Sequence, residues 1–206
     1  MNTGRVFSIL ATVLVGGSTS HAQTPSTVAQ SPIVPSSPNA APRMDMLASR
    51  IGTWSVLMTM RPTAVSKPIV VAGLIAARSM VGPYLQEVMM PAPGSNVPEF
   101  RRIDFLTYNP LQARWQYLSM DTRATVGLMF AQGFGPDRDG EITVYFSDFP
   151  APTELGPEVA GHFMRARHVL TRESEHREVV RQYWSMDGRS EWLGVQYEYT
   201  RKNRTP

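Results

Sequence analysis

Apolar runs of strand length recur about every ten to fifteen residues along most of this chain, and turn chemistry stops each one. The runs are 54–60, 69–79, 84–90, 100–108, 114–120, 126–134, 141–149, 163–172, 177–186 and 191–201. Connections this short dictate antiparallel neighbours, because parallel pairing needs crossovers of a dozen or more residues. Within runs the period is two: Trp54, Val56, Met58 and Met60 share a face opposite Ser55 and Thr59, and Ile142, Val144 and Phe146 oppose Thr143, Tyr145 and Ser147. Asp187-Gly188 predicts a tight type I′ hairpin, which needs positive φ at both central positions. About ten such strands are expected to close or to split into two sheets, since open edges invite aggregation. Gly73, Gly127, Gly133 and Gly194 suit the bends of a closing sheet. The one helical segment expected is a short lead-in at 44–51.

Ahead of these runs the composition changes twice. Arg5 followed by the apolar stretch 6–15, too short to span a bilayer, and then Ser20-His21-Ala22 has the form of a cleaved export signal over 1–22. No twin-arginine pair precedes the apolar stretch, so the general secretory route is expected, with a periplasmic or secreted destination. Residues 23–43 are rich in Pro, Ser, Ala and Thr, with too little apolar surface to offset chain entropy, and read as a disordered linker. A single folded domain is expected over 44–204, with no transmembrane segment left after cleavage.

Composition removes several function classes. The chain has no cysteine, which rules out disulfides, thiol nucleophiles, cysteine metal sites and a lipidated cysteine at the cleavage point. Net charge is +3, the arginines are scattered, and no basic helix occurs, so nucleic acid is not expected as a partner. His162 and His168 on one strand would stand about 20 Å apart at roughly 3.3 Å per residue, too far to share an ion. Asp137-Arg138-Asp139-Gly140-Glu141 has some of the character of a calcium loop but lacks the other ligands and flanking helices. No metal site is expected. No Gly-x-Ser-x-Gly elbow occurs, and no catalytic residue is assigned. Glu87 and Asp121 are the candidates for paired carboxylates in a barrel, each with a surface or turn position as the plainer alternative.

The order of short motifs resembles a bacterial family, the domain of unknown function numbered fifteen seventy-nine, whose members are lipocalin-like (calycin) barrels. The stretches that carry the resemblance are Leu47 with Ile51-Gly52-Thr53-Trp54; Met80-Val81-Gly82-Pro83-Tyr84-Leu85-Gln86-Glu87; Thr107-Tyr108-Asn109; Ala113-Arg114-Trp115; and Tyr197-Glu198-Tyr199-Thr200-Arg201-Lys202. No glycine stands before Thr107-Tyr108-Asn109, and the loop at 151–161 is long; both depart from the family pattern. The resemblance implies an antiparallel up-and-down lipocalin-like barrel. It also implies that Gly52 and Trp54 plug one end while Arg201 of the last strand lies over the indole, a contact worth about 0.5–2 kcal/mol. The alternative for Arg201 is an ordinary solvated strand end. The haem-binding nitrobindin branch of the calycins carries a glycine-repeated segment after its tryptophan; Ser55-Val56-Leu57-Met58 stands there instead, so no cofactor is expected.

A barrel of this size can enclose one small molecule. Methionines such as Met58, Met60 and Met129 suit an adaptable apolar pocket. Glu87, Arg165, Arg181 and Tyr183 are the polar candidates: if their faces point inward, an arginine and a tyrosine would hold an anionic head. The expected function is non-catalytic binding of a small apolar or amphipathic molecule. The alternatives are a structural or protein-interaction module with a filled barrel, its protein partner unknown, and an enzyme using polar groups in the lumen.

Overall fold

The computed structural model describes residues 40–124, 126–134 and 140–202. The expected export signal and nearly all of the expected linker lie outside the described residues, as does the 135–139 part of the acidic turn. Among the described residues, eleven strands follow one short α-helix, α1 (Ala40–Ala48). They are β1 (Gly52–Met60), β2 (Ile69–Val81), β3 (Tyr84–Pro91), β4 (Arg102–Asn109), β5 (Arg114–Asp121), β6 (Met129–Phe134), β7 (Glu141–Phe146), β8 (Phe149–Pro150), β9 (Phe163–Arg172), β10 (Arg177–Met186) and β11 (Trp192–Arg201).

Every pairing is antiparallel, and sequence neighbours pair from β1 to β7. β9 then takes β7 on one side and β10 on the other, and β11 returns to β1. Ten strands therefore close a ring. The two-residue β8 pairs with the start of β9, extending the line of β7. At the seam Trp54 faces Arg201 and Met60 faces Val195. The chain is an all-β closed antiparallel barrel; no helix among the described residues is long and apolar enough to cross a membrane.

Two bulges give the sheet its curvature. Val56 faces Leu74 but Met58 faces Val71, so β2 carries an extra residue, and Gly73 takes it at φ +77°. On β11 the partners of Gln182 and Tyr183 are Val195 and Leu193, which leaves Gly194 as the extra residue. Gly127 stands in the loop before β6 rather than inside a strand.

Three expectations need adjustment. The helix runs from Ala40 to Ala48 rather than over 44–51, so it begins inside the stretch expected to be linker. Its last turn gives way where Arg50 and Ile51 N–H groups bond back to Leu47 and Ala48 carbonyls, leaving Gly52 to start β1. Asp187 and Gly188 do hold positive φ, 52° and 74°, with Arg189 N–H closing on the Met186 carbonyl. The connection is nonetheless longer than two residues, because Met186 stays paired with Met164 of β9 and β10 meets β11 only from Trp184 opposite Trp192.

The barrel has two distinct ends. At the base, Leu47 of α1 is fully buried and Trp54 Nε1–H donates to the Arg50 carbonyl at 3.1 Å. The Arg201 guanidinium carbon lies 4.4 Å from the Trp54 ring centroid. Its Nη1 and Nη2 donate to the Ile51 and Ser49 carbonyls, each at 2.7 Å, so one side chain ties the last strand to the helix end. The mouth lies at the other end, beside Met60, Asp121 and the loop 147–162.

Candidate functional site

Strand alternation carries a row of polar side chains into the barrel. Arg78, Glu87, Asp104 and Ser119 stand directly opposite one another across β2, β3, β4 and β5, and all four are buried. Arg78 Nε donates to Glu87 Oε2 at 2.7 Å, and Ser119 Oγ donates to Asp104 Oδ1 at 2.6 Å. Arg102, two residues nearer the mouth than Asp104, places Nη2 3.0 Å from Glu87 Oε1. From the base, Arg50 Nη1 lies 2.6 Å from Glu178 Oε2. Arg78 Nη2 lies 3.0 Å from Glu178 Oε1 and Arg102 Nε 2.9 Å from Asp104 Oδ2, near enough for ion pairing but out of line for hydrogen bonds.

These six residues form a chain of alternating charge: Arg50, Glu178, Arg78, Glu87, Arg102, Asp104. Each buried ion would cost several kcal/mol to desolvate alone, and alternation is what offsets that cost. Aromatic rings complete the shell. The Arg78 guanidinium lies 4.4 Å from the Tyr199 ring centroid and that of Arg102 4.4 Å from Tyr197, while Tyr199 O–H donates to Glu87 Oε1 at 3.0 Å.

The titration of the chain follows from its neighbours. Burial pushes Glu87 up, but Arg78 and Arg102 outweigh it and hold the carboxyl below its usual range. Burial raises Asp104, and Arg102 offsets only part of the rise. Burial also raises the Tyr117 and Tyr199 phenols, helped by Asp104 and Glu87 respectively. The gap among the ion-chain side chains is about 30 Å³, roughly the share of one water in the liquid and too small for an organic ligand.

Above the ion chain the interior is different. A cavity of about 240 Å³ opens toward the mouth, walled by Met58, Met60, Met129, Trp184, Val195 and Tyr197 and floored by Arg102, Tyr117, His168 and Gln182. His168 faces Val144 and Gln182 across its two strands. The rings of Phe146 and Tyr117 meet it edge-on at 4.6 and 5.5 Å, and the Gln182 side chain lies beside it across the strand pair. Burial drives its pKa down to about 3, against a smaller opposing effect of Gln182. At the mouth Arg123 grips Asp121 in a fork, at 2.9 and 2.6 Å, and stacks 3.7 Å over Phe100. Two larger depressions, about 440 and 830 Å³, are shallower features lined by outward residues such as Phe105, Leu118 and Phe130, or Val70 and Ala72, with no buried ion chain beside them.

Of the residues singled out from the sequence, Met58 and Met60 line the cavity and Glu87 sits in the ion chain beneath it. Asp121 lies at the mouth, paired with Arg123; its cross-strand partner is Arg102, so it does not meet Glu87. Arg165, Arg181 and Tyr183 do not reach the interior. The parity that turns Met164, Ala166 and His168 inward on β9, and Val180, Gln182 and Trp184 inward on β10, turns these three outward. Arg165 is 73% exposed and pairs with Asp148. Tyr183 lies under the Arg167 guanidinium at 4.3 Å. His162 is exposed and bonds to Asp187, whereas His168 is buried in the barrel. Among the described residues no group of three or more His, Asp or Glu is placed to hold a metal ion.

Sequence reading missed Arg50, Arg78, Arg102, Asp104, Gln182, Glu178 and Trp184, and weighed His168 only as a metal ligand. One signal was available on β4: Arg102 and Asp104 have the same parity as the buried Leu106 and Tyr108, while Ile103 and Phe105 turn outward. No family model matches the chain, and no curated protein is significantly similar to it.

Proposed function

We propose that this chain is a non-catalytic binding protein that holds a small apolar or amphipathic molecule inside its barrel. The observation that carries the reading is the division of the interior. The base half is filled by an ion chain with no room for an organic molecule, while the mouth half keeps an apolar-walled space of about 240 Å³. That volume is below the usual range for drug-sized ligands and corresponds to a molecule of roughly eight to twelve non-hydrogen atoms. The flexible Met58, Met60 and Met129 side chains are suited to adapt to such a guest.

The lipocalin-like barrel type, the kinship with the family numbered fifteen seventy-nine and an exported location belong to the same proposal. They are supported by the Trp54–Arg201 contact across the seam and by the export-signal pattern of the first 22 residues. An enzymatic reading draws on the buried acidic and basic groups. It is the weaker account, because Glu87, Asp104 and Glu178, the carboxylates of the buried ion chain, are each already within ion-pair distance of an arginine.

Native mass spectrometry of the purified protein, followed by solvent extraction and challenge with medium-chain compounds, tests the reading. The expected result is retention of one small molecule per chain. Failure to carry or take up any apolar compound ends it.

A further inference from the structure

We infer that this chain forms a two-fold dimer through the outward face of β3–β6, with Phe130 of each copy seated in a depression on the other. The inference concerns the outside of the barrel and stands apart from whether the cavity carries a guest.

Over β3–β6 the barrel is inverted, with its charges inside and its apolar side chains outside. The alternation that turns Glu87, Arg102 and Asp104 inward leaves their neighbours outward. Register then sets Val88, Ile103 and Met120 in one row and Phe105, Leu118 and Phe130 in the next. The polar side chains among them are neutral: the amides of Gln86, Gln116 and Gln132 and the Thr107 hydroxyl. Arg101 bounds the face toward the mouth and Arg114 toward the base; between them, no described outward position on these four strands is charged. The opposite wall differs, since Arg165, Arg167, Arg181 and Glu198 all turn outward on β9–β11.

Three properties select a second copy as the occupant. First, a glutamine amide both donates and accepts, so a row of amides matches its own two-fold image. Against the acyl chains of a lipid layer the same amides would lose their hydrogen bonds. Second, the face carries a knob and a hole together. Phe130 is 56% exposed and stands at a depression of about 440 Å³ that Tyr84, Phe105 and Leu118 also line. A two-fold axis lets each copy fill the other's depression with its own ring, and an aromatic side chain in a pocket is the common anchor of an interface. Third, the area is sufficient. With Val81 and Tyr145 at its flanks the face spans six strands, β2–β7, and the Ile103–Thr107 length of β4. At about 4.8 Å per strand and 3.3 Å per residue that is roughly 480 Å² in projection. Side-chain relief and the rim bring it to about 600 Å² per partner, the lower end for a specific interface, so the dimer is expected to be reversible at micromolar concentrations. The face runs along the side of the barrel, so pairing leaves the mouth of each copy open.

Sedimentation velocity of the purified protein over about 2 to 200 µM tests the inference. The expected result is a mass that moves from one chain to two across that range. Raising sodium chloride to about 1 M, which screens charges beyond about 3 Å, should not weaken the dimer. Phe130→Lys should weaken association at least tenfold, while Arg181→Glu on the charged wall should leave it unchanged. Should Phe130→Lys fail to fold, Leu118→Gln takes its place, and hydrogen exchange of the unsubstituted protein, slowed on β3–β6 alone as concentration rises, carries the test. A monomer throughout the range, a dimer indifferent to the substitutions on this face, or one that dissociates in high salt overturns the inference. So does a monomer that binds neutral phosphatidylcholine vesicles and loses them with Phe130→Lys, which would assign the face to lipid.

Discussion

Arg78 and Glu87 stand directly opposite each other on β2 and β3, both inside the barrel, with Arg78 Nε donating to Glu87 Oε2 at 2.7 Å. Glu87 also receives Arg102 Nη2 and the Tyr199 hydroxyl, so one carboxylate on β3 links two arginines and a phenol from three other strands.

Glu87→Gln should therefore destabilise the protein by about 3–5 kcal/mol, because it leaves two buried guanidinium groups short of one negative charge. Urea unfolding followed by circular dichroism measures it. A loss below about 1 kcal/mol would mean that the ion chain is wet or rearranges freely. The double substitution Arg78→Met with Glu87→Leu should cost less than Glu87→Gln alone, since it removes a pair of opposite charges together.

The Trp54–Arg201 contact makes a separate prediction. Arg201 covers the indole and also donates to the carbonyls of Ser49, Ile51 and Glu175, which requires a planar fork of donors. Arg201→Lys keeps the charge and loses the fork, and should lower stability by about 1–2 kcal/mol with a changed near-ultraviolet signal from Trp54. An unchanged melting temperature and spectrum would make Arg201 an ordinary strand end.

Much of the barrel was legible in the sequence and little of its interior was. The bounds of β9 and β10 coincide with the runs at 163–172 and 177–186 because turn residues and period-two alternation both act locally. The glycines at 73 and 194 marked sites where the sheet bends, and both sit at bulges. The ion chain is a different kind of fact. Arg78, Glu87, Arg102 and Glu178 each look like surface residues in their own strands, and what makes burial tolerable is a partner on another strand, sometimes a hundred residues away. On β4 the pattern is inverted, with Arg102 and Asp104 inside and Ile103 and Phe105 outside, so hydrophobicity taken alone chooses the wrong face. Arg165, Arg181 and Tyr183 were open to either face in sequence; only the parity of their neighbours decides it.

His168 gives a pH dependence of definite sign. Its pKa is lowered in the fold, to about 3 from an ordinary 6.5, so the native state binds fewer protons than the unfolded chain. The stability this provides is complete above pH 6.5 and is lost as pH falls toward 3. The charged groups that act on the ring are Arg102, which lowers it further, and Glu87, which raises it, with the Gln182 amide alongside. At about 1.4 kcal/mol per pH unit, the protein should lose about 2 kcal/mol more than His168→Phe between pH 6.5 and 4.5. Asp104 and Glu87 titrate in both proteins, so the comparison isolates the imidazole. At neutral pH the phenylalanine variant should be as stable as the parent or more so, since it removes a buried imidazole whose nitrogens have no well-aligned hydrogen-bond partner. Parallel stability–pH curves for the two proteins would refute this account of His168.

Gly194 links the barrel's geometry to its cavity most directly. It is the extra residue of the β11 bulge, its carbonyl accepts the Arg61 N–H at 2.7 Å, and a Cβ built on it would run into the Trp184 ring. Gly194→Ala must therefore either displace the indole that walls the cavity or strain the bulge. Overpacking of this kind costs about 1–3 kcal/mol. Because Trp184 walls the cavity, the same methyl group should also weaken uptake of octan-1-ol at least tenfold and shift the Trp184 emission. A core residue with no part in binding would show the stability loss alone. Comparison of the two losses, by thermal melting and by titration, separates an indole that shapes the cavity from one that only fills it.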